Sequence, residues 1–358
     1  GQVVRDMLHE TRVLPAEWAP QAGVMLTWPH AGTDWAPALP RVEPVFVEIA
    51  RQIALREPVV IACHDAEVAA HVRALLRAAG VAPARLRLHV APCDDTWARD
   101  HGPITVLERG APRVLDFAFN GWGGKFAAEQ DDALPTRLHA LGAFGEAPLE
   151  ASRLVLEGGS IESDGLGTIL TTERCLLSPG RSDLDAPALA GLLRESLGAT
   201  RVLWLRHGQL EGDDTDGHVD TLARLCDPKT IAYQACDDPA DHHWREFQAL
   251  AGELAALRTA AGEPYRLVPL PWPRARFGVA GQRLPATYAN FLIVDGAVLV
   301  PTYDDPADAE ALARLRWAFP GREVVGVDCR LLIEQGGSLH CLTMQLPRPL
   351  VLGPSTAG

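Results

Sequence analysis

The chain has 358 residues, 47% hydrophobic and 22% charged, with a formal net charge of −13. That length can bury a core without disulfides. The acidic balance, with no long basic run, argues against a nucleic-acid partner, and no apolar run reaches the roughly 18 residues of a membrane span.

The opening GQVVRDMLHETRVLP has no apolar core segment, so no signal peptide is expected. VVIACHD (59–65) reads as a short strand, with Asp65 placed to cap a helix. AEVAAHVRALLRAAG (66–80) has helical apolar spacing and stops at a Gly; RLRLHVAPC (85–93) is a second strand. DDTWARDHGP (94–103) sets Trp97 and Asp100 on either side of an Arg. It is either a turn with surface ion pairs or an aromatic wall plus a carboxylate suited to a planar cation. NGWGGK (120–125) lacks the spacing of a phosphate loop. It reads as a mobile binding loop carrying Trp122, or as a turn around a buried Trp.

LEGGSIESDGLGT (156–168) puts Glu157 before two glycines near a strand start, and Asp164-Gly165 signals a hairpin. TILTTERCLLS (168–178), DAPALAGLLRESLGA (185–199) and RVLWLR (201–206) repeat the strand–helix–strand pattern. EGDDTDGHVD (211–220) crowds Glu211, Asp213, Asp214, Asp216 and Asp220 around His218 without meeting the calcium-loop pattern. DGHVDTLARL reads as a turn entering a strand, which would place His218 and Asp220 on one face. Such a pair is an oriented acid–base group, a metal ligand or a solvated loop pair. A third unit, GAVLVPTYDD (296–305), PADAEALARLRWAFPG (306–321) and REVVGVDC (322–329), completes an α/β class.

The last segment is GGSLHCLT (336–343). LHCLTMQL reads as a buried strand, so His340 and Cys341 would point to opposite faces. A nucleophilic Cys341 would then need a base from elsewhere, and His218 is the best candidate. The seven cysteines show no CxxC or paired spacing, which argues against disulfides or a zinc site and for a reducing compartment. Cys63, Cys93, Cys226 and Cys329 sit in or at the ends of apolar strands and read as inert.

Five segments carry polar groups just before or within a short apolar strand: WARDHGPITVL, EGGSIESDGLGTILTT, DGHVDTLARL, ATYANFLIVDG and GGSLHCLTMQL. Anchored on Asp100, Glu157, His218, Asn290 and Cys341, their gaps are 57, 61, 72 and 51 residues. GGSIE (158–162) and GGSLH (336–340) resemble each other directly. A roughly fixed period is the mark of a repeat architecture, although α/β chains also repeat at this interval by chance.

Taken together, WARDHGP, EGGSIESDGLGTILTT, DDTDGHVD, YANFLIVDG and GGSLHCLTMQ resemble the agmatine deiminase family, as does LPAEWAPQAGVMLTWPHAGTDW (14–35). That family sits with the bacterial peptidyl-arginine deiminases in the guanidino-group-modifying superfamily. The likeness runs in order over nearly the whole chain. It implies one domain over 1–358: a pentein-type, five-bladed α/β propeller with pseudo-fivefold symmetry. It also implies catalytic residues Cys341 (nucleophile), His218 (acid–base), Asp100 and Asp220 (guanidinium carboxylates) and Glu157 (partner of His218). The reaction implied is agmatine plus water to N-carbamoylputrescine plus ammonia, through an amidino thioether on Cys341, with no metal or organic cofactor.

Two departures stand out. Family members commonly carry an Asn-Arg-Asn-Pro run where this chain has SPGRSD (178–183), and a third glycine where it has GGS. Both are expected to touch loops and bear on substrate identity. Glu211, Asp214 and Asp216 suit a distal ammonium, and Trp97 and Trp122 could cover a methylene chain, which favours agmatine. The alternatives are a deiminase of free or peptidyl arginine, an amidinotransferase on the same scaffold, a metal-dependent hydrolase built on EGDDTDGHVD, or a non-catalytic polyamine-binding protein. The expected partner is a small guanidino compound, with no nucleic acid and no membrane, in the cytoplasm. Homo-oligomer formation is left open.

Overall fold

Each of the five polar segments leads into a strand that opens its own sheet. The computed structural model describes residues 12–357, so most of the N-terminal stretch without an apolar core lies outside the described residues. Ile104–Glu108 pairs antiparallel with Ala111–Ala118, which runs parallel to Leu149–Val155; Arg12–Val13 adds an outer strand. The same antiparallel-then-parallel order recurs in Ile161–Ser163, Thr168–Thr172 and Arg201–Leu205. It recurs again in Ala223–Asp227, Thr230–Gln234 and Arg266–Leu270, and in Leu292–Val294, Ala297–Thr302 and Glu323–Asp328. The fifth sheet joins distant parts of the chain. Thr343–Pro347 pairs antiparallel with Gln21–Thr27, which continues in parallel to Val59–Cys63 and Leu86–Val90.

Parallel neighbours need a crossover, and each such step carries a helix. These are Leu39–Ala54, Ala66–Ala78, Leu134–Ala140, Ala186–Leu197, Trp244–Ala256 and Asp308–Ala318. The expected α/β class is therefore what the chain adopts. Asp65 caps its helix by accepting from Val68 N, as the sequence predicts, and Asp185 does the same for Ala188 N. The Asp164-Gly165 hairpin also forms, pairing Ile161–Ser163 with Thr168–Thr172. No helix among the described residues is long and apolar enough to cross a membrane.

The strands begin later than the alternation of residues predicts. Ala98–His101 is a short helical turn, and Gly158–Ser160, Val219–Thr221 and His340–Leu342 are 3₁₀ turns. His218 and Asp220 thus do not share a strand face, and Cys341 sits on a turn rather than within a strand. The cause is local. A hydroxyl three residues on closes each 3₁₀ turn: Ser160 donates to Glu157 O, Thr221 to His218 O and Thr343 to His340 O, at 2.6, 2.8 and 3.0 Å. Such hydroxyls compete with the strand ladder for the backbone. The run TILTTERCLLS likewise stops as strand at Thr172, whose hydroxyl caps the turn Glu173–Leu176.

Candidate active site

The turns bring Asp100, His218 and Cys341 to one cavity of about 380 Å³. His218 is 1% exposed. Its Nε2 lies 2.9 Å from Glu157 Oε1, and its Nδ1 lies 3.6 Å from Asp100 Oδ1. Burial pushes the imidazolium down, but Asp100, the neighbouring Cys175 thiol and the Glu157 hydrogen bond together hold it well above its ordinary value. Glu157 lies behind His218, outside the cavity lining. Burial works to raise its carboxyl, and the bonds from His218 and Arg181 overcome this and hold it low. Asp100 is pushed up to about 6, chiefly by burial, against the pull of His218.

Cys341 faces the cavity and is 7% exposed. Its Sγ lies 3.4 Å from Asn290 Oδ1, which also accepts from the Cys341 backbone N–H at 3.3 Å. Asn290 Nδ2 donates to Asp220 O at 3.2 Å. One amide thus ties together the turns of Cys341 and Asp220. Burial, then the charges of Asp220 and Asp100, raise the Cys341 thiol well above its ordinary value. Asp220 is fully buried, and among the described residues its Oδ1 has no hydrogen-bond partner. Burial would raise its carboxyl, yet the bond and charge of His340 keep it below the ordinary range.

Of the expected substrate-side residues, Trp97, Trp122, Glu211 and Asp214 line the cavity and Asp216 does not. Asp216 instead meets Arg181 Nη1 at 2.5 Å and Lys125 Nζ at 2.7 Å. Two cationic partners leave it no free charge for a ligand. NGWGGK forms a tight turn with Trp122 buried, its Nε1 donating to Asp100 Oδ2 at 2.9 Å. Arg99 is buried, so of the two readings of DDTWARDHGP the one with surface ion pairs does not hold. The glycine before Ser338 has its own reason: a Cβ on Gly337 would fall 2.3 Å from the Trp97 ring.

Sequence reasoning missed three groups. Asn290 anchors the fourth segment, but nothing in its neighbourhood signals its role. Arg181 lies in SPGRSD, the stretch expected to touch a loop and bear on substrate identity, and it grips both oxygens of Glu157. Cys175 adjoins His218 from the turn Glu173–Leu176, and Glu157, Cys175 and His218 offer ligand atoms within 4.8 Å of one another. Arg181, paired with Glu157 at 2.6 Å, makes that spot unfavourable for a cation. In EGDDTDGHVD, Asp213 accepts from Thr215 N, Thr215 Oγ1 and Gly217 N, so its carboxylate is spent within the loop.

The family described as Porphyromonas-type peptidyl-arginine deiminase matches residues 13–347. An agmatine deiminase of Stutzerimonas stutzeri is 34% identical, covering 94% of this chain and 96% of that protein. A solved Campylobacter jejuni agmatine deiminase, a Cys-to-Ser form with substrate bound, is 33% identical with a TM-score of 0.87, over 95% of this chain and 97% of that one. A Porphyromonas gingivalis structure provisionally described as an arginine deiminase is 51% identical with a TM-score of 0.88, over 95% and 99% of the two chains.

Proposed function

The chain belongs to the Porphyromonas-type peptidyl-arginine deiminase family, and from that membership we propose that it is a hydrolase converting agmatine and water to N-carbamoylputrescine and ammonia. The observation that carries the choice of agmatine is the cavity's charge. Asp34, Glu211, Asp214 and Glu334 line it, whereas Arg283, the arginine in its wall, is already paired with Asp241 at 2.7 Å. An arginine α-carboxylate would meet this acidic mouth; a distal ammonium would be held by it.

In this reading, Asp100 and Asp220, through the oxygen that has no partner among the described residues, take the guanidinium, an arrangement that fixes its central carbon. Binding a cation between those carboxylates offsets the negative charge that, added to burial, holds the proton on Cys341. The thiol ionises, its proton passes to solvent, and Sγ attacks the guanidinium carbon. The carbon–nitrogen bond breaks as His218 gives its proton to the departing ammonia. Neutral His218 then takes a proton from water, whose oxygen attacks the amidino thioether. The carbon–sulfur bond breaks and the ureido product leaves. Glu157 steadies the charged imidazole throughout.

The finer architecture belongs to the same proposal: a five-bladed α/β propeller with pseudo-fivefold symmetry, in which residues 1–358 act as one domain. Its support is the recurrence of one strand order in all five sheets, each opened by one polar segment. A cytoplasmic location goes with it, supported by seven free cysteines.

A second reading, turnover of free or peptidyl arginine, is favoured by the 51% identity to the P. gingivalis structure. Steady-state kcat/KM on agmatine, arginine and a peptidyl arginine decides between them. Agmatine is expected to lead, and faster turnover of either other substrate would overturn the agmatine assignment.

A further inference from the structure

A closed ring of polar contacts passes through His218. Trp122 Nε1 donates to Asp100 Oδ2, and Asp100 Oδ1 lies 3.6 Å from His218 Nδ1. His218 Nε2 meets Glu157 Oε1, and Arg181 holds Glu157 through Nε and Nη2. Arg181 Nη1 reaches Asp216 Oδ2, Lys125 Nζ reaches the same oxygen, and Lys125 Nζ also donates to Trp122 O at 3.0 Å. The last contact returns to the residue that began the ring.

Two features set this ring apart from a surface chain of ion pairs. The Arg181 and Glu157 side chains are each 1% exposed, so solvent screens their attraction little. Trp122 has φ 60°, followed by Gly123 and Gly124, both at φ 86°. A bulky side chain keeps such a backbone only where its surroundings over-determine it. The Asp100 bond holds its indole and the Lys125 bond holds its carbonyl.

Resting on the reading of Glu157 and His218 given above, we infer that Arg181, Asp216 and Lys125 are positioning residues that couple the loop carrying Trp122 to the proton affinity of His218. Glu157 is shared between Arg181 and His218. The more of its charge Arg181 takes, the less firmly His218 holds a proton. Asp216 draws Arg181 away from Glu157, and Lys125 in turn competes for Asp216. Asp100, which closes the ring from the Trp122 side, and Asp220 and Cys175 also act on His218, each from its own turn, but the hydrogen bonds of Arg181 go to Glu157, Asp216 and Thr215 O. Neutralising neighbouring members of the chain must therefore move His218 in opposite directions.

The test is the His218 imidazole titration, followed by NMR in the unliganded protein and assigned against His218→Gln, together with kcat and KM. Asp216 and Lys125 side chains are 31% and 39% exposed, so substitutions there should keep the fold, which thermal unfolding checks. Asp216→Asn turns Arg181 fully onto Glu157 and should lower the His218 pKa by about 0.5 unit. Lys125→Met turns Asp216 fully onto Arg181 and should raise it by about as much, while loosening Trp122 and raising KM. Lys125→Arg should restore both readouts. Shifts of the same sign, or no shift in either variant, would overturn the inference. Because the titration needs no turnover, opposed shifts in a protein inactive on agmatine would sink the proposed function and leave this inference standing.

Discussion

His340 Nδ1 lies 2.8 Å from Asp220 Oδ2, although Cys341 is its next neighbour in the chain. Glu17 Oε1 sits 2.7 Å from the other ring nitrogen. The histidine beside the thiol thus braces a carboxylate across the site. A hydrogen bond to a buried charge contributes about 1.5–3 kcal/mol. His340→Ala should therefore weaken agmatine binding roughly 10- to 100-fold, read by calorimetry in a Cys341→Ala background. Unchanged affinity would deny His340 this role.

Cys341→Ala should abolish ammonia release while keeping substrate binding and thermal stability close to the parent. Cys329→Ser, at a buried thiol outside the cavity lining, should keep most activity. Protein quenched during turnover of agmatine should carry an amidino adduct on the Cys341 peptide by mass spectrometry. Ammonia released at the parent rate by Cys341→Ala would sink the nucleophile assignment.

The raised Cys341 thiol makes a prediction about alkylation. Burial holds the proton on, and the negative charge of Asp220 adds to it. Iodoacetamide should label Cys341 slowly at neutral pH, and the rate should climb through the alkaline range. Asp220→Asn removes a negative charge, so the thiolate becomes easier to form and labelling at pH 8 should quicken. Peptide mapping assigns the label to Cys341. A slower reaction in Asp220→Asn would contradict the stated cause.

Glycines in the site and in the helices should respond differently. A Cβ on Gly159 would fall 2.6 Å from His218 Nδ1 and 2.8 Å from Asp100 Oδ1. Gly159→Ala should lower kcat/KM about 100-fold or more, since small displacements of reacting groups cost that much. Gly191 and Gly252 lie within helices, and a Cβ there meets nothing within 4 Å. Replacing both by Ala should raise stability by roughly 1–2 kcal/mol and leave kcat/KM alone. Kinetics and thermal unfolding report the two outcomes separately.

Glu57 predicts a pH dependence of stability. Burial pushes its carboxyl up to about 8. Its folded-state value is therefore raised, so its contribution is full below the ordinary carboxylate range and declines as pH climbs toward about 8. Glu57→Gln should raise the Tm of the variant over the parent by more at pH 8.5 than at pH 5. An equal change at both pH values would mean that Glu57 is not protonated in the fold.

The sequence by itself determined the α/β class, the helix cap at Asp65 and the hairpin at Asp164-Gly165, and it singled out Asp100, Glu157, His218, Asp220 and Cys341 as candidates for chemistry. Those features depend on neighbours within a few residues, or on a residue type that a reaction demands. It also placed Asp100, His218 and Cys341 just before or within corresponding strands, and the turns ahead of those strands bring them to one cavity. Turn closure was written in the same short range, in Glu157 to Ser160, His218 to Thr221 and His340 to Thr343, but the apolar alternation after those residues masked it.

What only the tertiary structure decided is who pairs with whom. Asp216 and Glu211 look alike in EGDDTDGHVD, yet Asp216 is spent on Arg181 and Lys125 while Glu211 lines the cavity. Arg181 sits 24 residues from Glu157, and His340 sits 120 from Asp220. A charge's partner in a folded chain is set by distance and burial, and both arise only when the separate sheets bring their opening turns together.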